Sequence, residues 1–166
     1  EDQIRELAYH DTLTHLPNRR LLMEHLKLAR ASYRRSGKHG AVVFIDLDNF
    51  KPLNDQHGHA AGDLLLIEVA QRLLQHIRGT DTAARFGGDE FVVFGSCTNA
   101  KRMQMIVSKI KNTMEKENQN EKRIYQLSAS IGCSVHASDE IDDLNQLIES
   151  ADKRMYEEKK EKHMRR

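Results

Sequence analysis

The sequence predicts an α/β sandwich in which a central, mostly antiparallel sheet is flanked by helices. Three observations predict it. Short runs at 41–46, 82–86 and 90–94 read as strands, the first continuously apolar, rich in β-branched residues and too short for a buried helix. Two of them are joined by Gly87-Gly88-Asp89, which reads as a hairpin turn. Amphipathic stretches of helical period separate the rest. At 166 residues the chain fits one domain with a single substantial core.

The elements follow in order. EDQIRELAYH places Ile4, Leu7 and Ala8 at helical spacing, as the end of a longer upstream signalling helix over 1–10 would. DTLTHLPNRR supplies turn and cap residues before a helix from about Arg20 to Arg34. RSGKHG is a polar break, and AVVFID at 41–46 reads as a central strand. DNFKPLNDQHGHAAGD reads as polar, turn-rich chain. A helix from about Asp63 to Arg78 carries an apolar stripe of Leu66, Val69, Ala70, Leu73, Leu74 and Ile77. In the hairpin of TAARF and EFVVF the two glycines are expected to supply the positive φ of its turn. A helix near 99–117, a strand near 124–136 and a helix near 141–161 complete the domain over 11–161, leaving 162–166 as a charged tail.

Composition excludes several classes. With 39% hydrophobic and 31% charged residues the chain is globular rather than disordered. A net charge of +1 argues against gripping nucleic acid by bulk phosphate neutralisation, so no nucleic-acid partner is expected. No apolar run approaches the roughly 20 residues that cross a bilayer. Cys97 and Cys133 are isolated thiols that suit a reducing cytosol, so a cytoplasmic domain is expected.

The acids carry the chemistry. Asp46 and Asp48 lie at the carboxyl end of the 41–46 strand, two residues apart and therefore on one face. Asp89 and Glu90 lie at the hairpin tip. Taken singly, each reads equally as a strand-end turn residue. If the strands are neighbours, the acids converge, and a divalent cation relieves their repulsion. All-oxygen donors select Mg²⁺ or Mn²⁺ over zinc. His57 and His59 make two zinc ligands without a third. The paired glycines leave room for a ligand against the backbone. The residues alone favour a metal-dependent phosphoryl-transfer site.

The run Arg85-Phe86-Gly87-Gly88-Asp89-Glu90-Phe91 resembles the signature of GGDEF domains, the diguanylate cyclases. Asp11-Thr12-Leu13-Thr14 with Leu16-Pro17-Asn18-Arg19 resembles the family's opening motif. Phe44 to Lys51, Asn54-Asp55, His57-Gly58-His59 and Gly62-Asp63 resemble its nucleotide-binding segment. Ser130-Ile131-Gly132, Ala151-Asp152, Met155-Tyr156 and Lys159 resemble its late strand and last helix. The resemblance spans nearly the whole chain in order.

It implies a nucleotidyl-cyclase, polymerase-palm-like fold with the signature on a β-hairpin, and an enzyme that condenses two GTP into cyclic di-GMP. Asp46, the Leu47 carbonyl, Asp89 and Glu90 would hold Mg²⁺, with Asp89 promoting loss of the ribose 3′-hydroxyl proton. Phe50 N–H and the Lys51 ammonium would contact the triphosphate, Lys51 and Glu90 assisting Asp89 in catalysis. Asn54 and Asp63 would read guanine; Asp63 is equally a helix N-cap by residue type. His59, Gly87, Gly88 and Lys159 would line the nucleotide. Each domain would hold one GTP, so an antiparallel homodimer would be the active form, governed by an upstream sensor domain. Arg78 and Asp81 match the R-x-x-D inhibitory motif for product, although each also fits a helix end and a turn. The family's Gly-Arg after Lys159 is replaced by Lys162 and His163, so Arg165 or Arg166 would substitute or triphosphate affinity would fall. Two alternatives stand beside the enzyme: a GTP- or cyclic di-GMP-binding regulatory module, and a polymerase-like palm acting on nucleic acid.

Overall fold

A computed structural model describes residues 2–97, 101–120, 122–123, 125–136 and 144–164. The element order is α1 (Asp2–Tyr9), α2 (Arg19–Ser36), β1 (His39–Leu47), α3 (Phe50–His57), α4 (His59–His76), β2 (Thr82–Arg85), β3 (Glu90–Cys97), α5 (Lys101–Asn118), β4 (Ala129–His136) and α6 (Leu144–Met164). The four strands form one sheet in the order β2-β3-β1-β4, and every neighbouring pair is antiparallel. The expected sheet flanked by helices is what the chain forms.

β1 is central because its two faces are both apolar. Ala41, Val43 and Ile45 pack with Leu53 of α3, Leu66 and Val69 of α4, and Ile106 and Ile110 of α5. Val42 and Phe44 pack on the other face with Leu22 and Leu26 of α2, and Leu147, Ala151 and Met155 of α6. A strand buried on both sides reads as a continuous apolar run, as 41–45 does. Gly132 lets α6 lie directly on β4, since a Cβ there would overlap the backbone of Ala151 and Met155. That close approach brings the last turns of α6 to the end of β1.

Several expectations change. The segment read as turn-rich contains α3, entered through Asn49 at φ 60° and separated from α4 by Gly58 at φ 90°. Pro52 sits in the first turn of α3, where its missing N–H costs nothing. Consequently α4 begins at His59, and Asp63 is inside the helix rather than capping it. Leu74 is 54% exposed, and Leu65 takes its place in the core. Gly87 and Gly88 do not adopt positive φ; the reason for Gly87 is steric, as shown below. β4 begins at Ala129 instead of near 124, and α6 runs on to Met164. Ile124, residues 99–100 and 141–143, Arg165 and Arg166 fall outside the described residues. No helix among the described residues is long and apolar enough to cross a membrane.

Candidate active site

The register of β1 against β3 sets Asp46 opposite Glu90, and that against β4 sets it opposite Ser130. The turn from 86 to 89 folds over the end of β1, tied there by Leu47 N–H donating to the Asp89 carbonyl at 3.1 Å. The residues named for metal binding, Asp46, Leu47, Asp89 and Glu90, therefore meet at one end of the sheet. Asp48 does not join them. Its carboxylate accepts from Ser128 Oγ (2.6 Å), Ser130 Oγ (2.7 Å) and Lys162 Nζ (2.8 Å). Burial alone would push the Asp48 carboxyl up, but these donors outweigh it and hold it below the usual range.

Electrostatics sort the remaining acids. Burial pushes Asp46 up from 3.8 to about 6; the Lys159 ammonium works against that and the neighbouring Asp89 charge works with it. Burial also raises Glu90, helped by Asp89 and Asp152. Lys159 Nζ donates to Asp46 Oδ2 at 3.0 Å, and facing several carboxylates keeps the ammonium charged despite partial burial. The other oxygen, Asp46 Oδ1, is buried with no hydrogen-bond partner.

A divalent cation fits this set. An orphaned buried carboxylate oxygen beside crowded acids lacks the positive partner that burial demands, and the donors are hard oxygens. Among the described residues no three His, Cys, Asp or Glu side chains form a complete cage. That suits Mg²⁺, which typically takes one or two carboxylates and fills its shell with water and substrate phosphate oxygens.

The glycines make space. A Cβ on Gly87 would overlap the Glu90 carboxylate, whereas Gly88 faces open space. Gly62, in the first turns of α4, lies against Asn54: a Cβ there would overlap the Asn54 side-chain oxygen and crowd Phe50. That Asn54 oxygen is itself buried without a partner, an acceptor awaiting a donor. Phe50 and Lys51 open α3, where main-chain N–H groups have no intrahelical acceptor and favour anions. The Lys51, His59 and Asp63 residues are exposed on the same αα corner. Thus Asn54, Phe50 and Lys51 lie one helix start away from Asp46.

The signature turn is braced from behind. The Asp11 carboxylate accepts from Thr14 N–H (2.8 Å) and Thr14 Oγ1 (2.7 Å), and receives Arg85 Nη1 at 3.1 Å. Arg85 also donates to the Gly88 carbonyl at 2.8 Å. Arg19 stacks over the Phe86 ring, 3.8 Å from its centroid, and Phe86 meets Phe44 edge-on. Asn18 caps α2 through Leu21 N–H at 3.0 Å. The opening motif thus positions the turn, a role its spacing does not reveal.

Arg78 and Asp81 lie apart, in the turn between α4 and β2. From the neighbourhood of Asp81, next to Gly95, to Glu90 is about 17 Å along β3. The Asp81 side chain is fully buried, at 0% exposure, and pairs with Arg102 Nη2 at 2.5 Å. Arg102 carried no sequence signal. Lys162, expected in a solvated tail, instead donates to Asp48 and to the Ala129 carbonyl at 2.5 Å; His163 is exposed.

Comparison with known proteins gives a consistent result. The family model described as diguanylate cyclase, GGDEF domain, matches residues 8–165. The bifunctional diguanylate cyclase/cyclic di-GMP phosphodiesterase MucR of Pseudomonas aeruginosa is 40% identical over 157 residues, 95% of this chain and 23% of that protein. Diguanylate cyclase A of Treponema denticola is 36% identical over 163 residues, 95% of this chain and 43% of that protein. The chain therefore spans less than half of either relative. The GGDEF domain of TpbB (YfiN) from Pseudomonas aeruginosa superposes with a TM-score of 0.84 at 34% identity, covering 92% of this chain and 90% of that one. The coiled coil and GGDEF domain of DgcB from Caulobacter crescentus, in complex with c-di-GMP, gives 0.85 at 25% identity, covering 96% and 84%.

Proposed function

The chain belongs to the GGDEF family of diguanylate cyclases, and from that premise we propose that it condenses two GTP into cyclic di-GMP and two pyrophosphates. The observation that carries the proposal is that Asp46, Asp89 and Glu90 lie at the same end of the sheet, with Asp46 Oδ1 buried and without a hydrogen-bond partner. Each 3′-oxygen attacks the α-phosphorus of the other GTP, a P–O bond to pyrophosphate breaks, and the hydroxyl proton leaves. Asp46, the Leu47 carbonyl, Asp89 and Glu90 would hold Mg²⁺, which would supply acidification of the hydroxyl and neutralisation of triphosphate charge.

The side chains do the rest. Asp89, at the turn tip, draws the 3′-hydroxyl proton. Lys51 and Lys159 place ammonium charge on the triphosphate, and the N–H groups opening α3 at Phe50 and Lys51 receive its oxygens. The Asn54 amide oxygen accepts from guanine N–H, and Asp63 and His59 flank the base. Gly87 and Gly88 leave the backbone bare where the nucleotide lies. Because one domain holds one GTP, two domains face each other antiparallel for turnover. Arg78 and Asp81 form the site at which cyclic di-GMP inhibits. An upstream sensor would govern pairing, with this domain in the cytoplasm, where GTP is found.

The test is incubation with GTP and Mg²⁺ at several protein concentrations, with separation of the nucleotides formed. Cyclic di-GMP whose yield per molecule rises with concentration is expected. One observation favours the regulatory-module alternative: Lys162 is committed to Asp48, and His163 stands where the family has Arg. GTP binding without any nucleotide product at high protein concentration would replace the cyclase reading with that one.

A further inference from the structure

Residues 119–128 join α5 to β4, and their described part is fastened to three helices. Asn118, the last residue of α5, holds Leu127 in both directions. Its Nδ2 donates to the Leu127 carbonyl at 2.7 Å, and its Oδ1 accepts from Leu127 N–H at 2.6 Å. Within that span Arg123 Nη2 pairs with Glu68 of α4 and, at 3.2 Å, with Glu117 of α5. The Arg123 side chain is only 10% exposed, and Arg72 of α4 brings a second cation to Glu117 at 2.6 Å. The Arg123 guanidinium lies over the Tyr125 ring, 5.7 Å from its centroid. That ring also meets His57, the last residue of α3, with centroids 6.0 Å apart and planes tilted by 49°.

We infer that this loop is a strap that positions α3 for base recognition, with Tyr125 the positioning residue that keeps Asn54 where it meets guanine. The inference rests on the proposal that Asn54 reads the base. Helix α3 is eight residues long and buries only Leu53, so it is too short to hold its own place in water. Asn54 and His57 are three residues apart and share one face of it, so a ring that pins His57 pins Asn54. The other wall of the Asn54 site, Gly62, belongs to α4, which the strap grips through Glu68. One loop thus sets the spacing of both helices at the corner, and the buried, unpartnered Asn54 oxygen is held in one place. With Arg123 nearly enclosed, breaking its pairs would leave charges without partners, so the strap stays closed. Tyr125 acts on the nucleotide through α3 rather than by touching it.

The experiment titrates the wild-type chain, with Mg²⁺ present, against non-hydrolysable analogues of GTP and ATP and against inorganic tripolyphosphate by calorimetry. All three titrations are then repeated with Tyr125→Leu and Tyr125→Phe. Tyr125→Leu should weaken the GTP analogue by roughly three- to tenfold, the scale of one lost aromatic pair, and leave the other two ligands within about twofold of wild type. Tyr125→Phe, which keeps the ring, should bind all three as wild type does. A GTP-analogue affinity that Tyr125→Leu leaves unchanged, or a loss shared equally by all three ligands, would overturn the inference. So would a Tyr125→Phe chain that loses GTP-analogue affinity as Tyr125→Leu does. In each of these cases a wild-type preference for the GTP analogue would leave the guanine-reading proposal standing. Equal wild-type affinity for the GTP and ATP analogues would overturn that proposal, and the inference with it. Should Tyr125→Leu not fold, His57→Ala removes the same contact from the α3 side and is read in the same way.

Discussion

Replacing Asp46 with Asn should abolish turnover and yet stabilise the metal-free fold. Burial and the Asp89 charge lift the Asp46 carboxyl from 3.8 to about 6. At neutral pH the chain must therefore ionise a group that the fold disfavours. At about 1.4 kcal/mol per pH unit, a lift of roughly two units corresponds to about 3 kcal/mol. Asn retains the shape and removes the charge; the Lys159 pairing is already contained in the lifted value, and solvent screening at this partly exposed site discounts the figure by about 1 kcal/mol. A net gain of about 2 kcal/mol should raise Tm by roughly 4–8 °C for a chain of this size.

The sign follows from proton binding. Between the unfolded value near 4 and the folded value near 6 the native state holds the extra proton, so wild-type stability falls as pH rises through that window. The Asp46→Asn advantage should accordingly be absent below about pH 4, grow from there to 6, and stay constant above. Thermal melts of both proteins in chelator, from pH 4 to 8, read this directly. With Mg²⁺ and a non-hydrolysable GTP analogue the order should invert, because only the wild type gains binding energy. A variant that melts at or below wild type at neutral pH in chelator would refute the reasoning about this carboxylate.

Gly87→Ala should displace the Glu90 carboxylate, lowering turnover on the order of 10- to 100-fold while shifting stability by less than about 1 kcal/mol; wild-type turnover would show that the glycine is not there for Glu90. GTP should be strongly preferred to ATP, and Gly62→Ala, by driving Asn54 from its place, should erode that preference with Tm nearly unchanged, as the kcat/KM ratio for the two nucleotides will show. Asp48→Asn should destabilise the chain by about 1–3 kcal/mol at pH 7 through its lost donors; because the Asp48 carboxyl is held low, denaturant melts should show the wild-type advantage present above about pH 4 and lost as pH falls further. Glu90→Gln should remove turnover while circular dichroism stays native, and near-normal turnover would end its metal-ligand assignment.

Several features of the protein were decided locally. The run from Ala41 to Ile45 marks a strand buried on both faces because every residue in it is apolar, and β1 is that strand. The alternation of elements prescribes helices over a sheet, and the acids at 46, 89 and 90 stand at strand ends because chain spacing puts them there. Resemblance to a known family supplied the chemistry that spacing alone left open between turn residue and metal ligand.

What the sequence could not decide is where side chains turn once distant segments meet. Asp46 and Asp48 look equivalent along the chain, but Ser128, Ser130 and Lys162 claim Asp48 from more than 75 residues away, leaving Asp46 to Lys159 and the turn acids. Asp81 looks like a surface turn acid until Gly95 and Arg102 enclose it. Gly87 and Gly62 look like turn residues, but they are small because Glu90 and Asn54 occupy the space above them. Helix α3 was hidden because a polar eight-residue helix takes its stability from Leu53 packing on the sheet rather than from its own period. Periodicity reports which face of a segment is apolar; which partner a polar group finds depends on contacts that exist only after the sheet has formed.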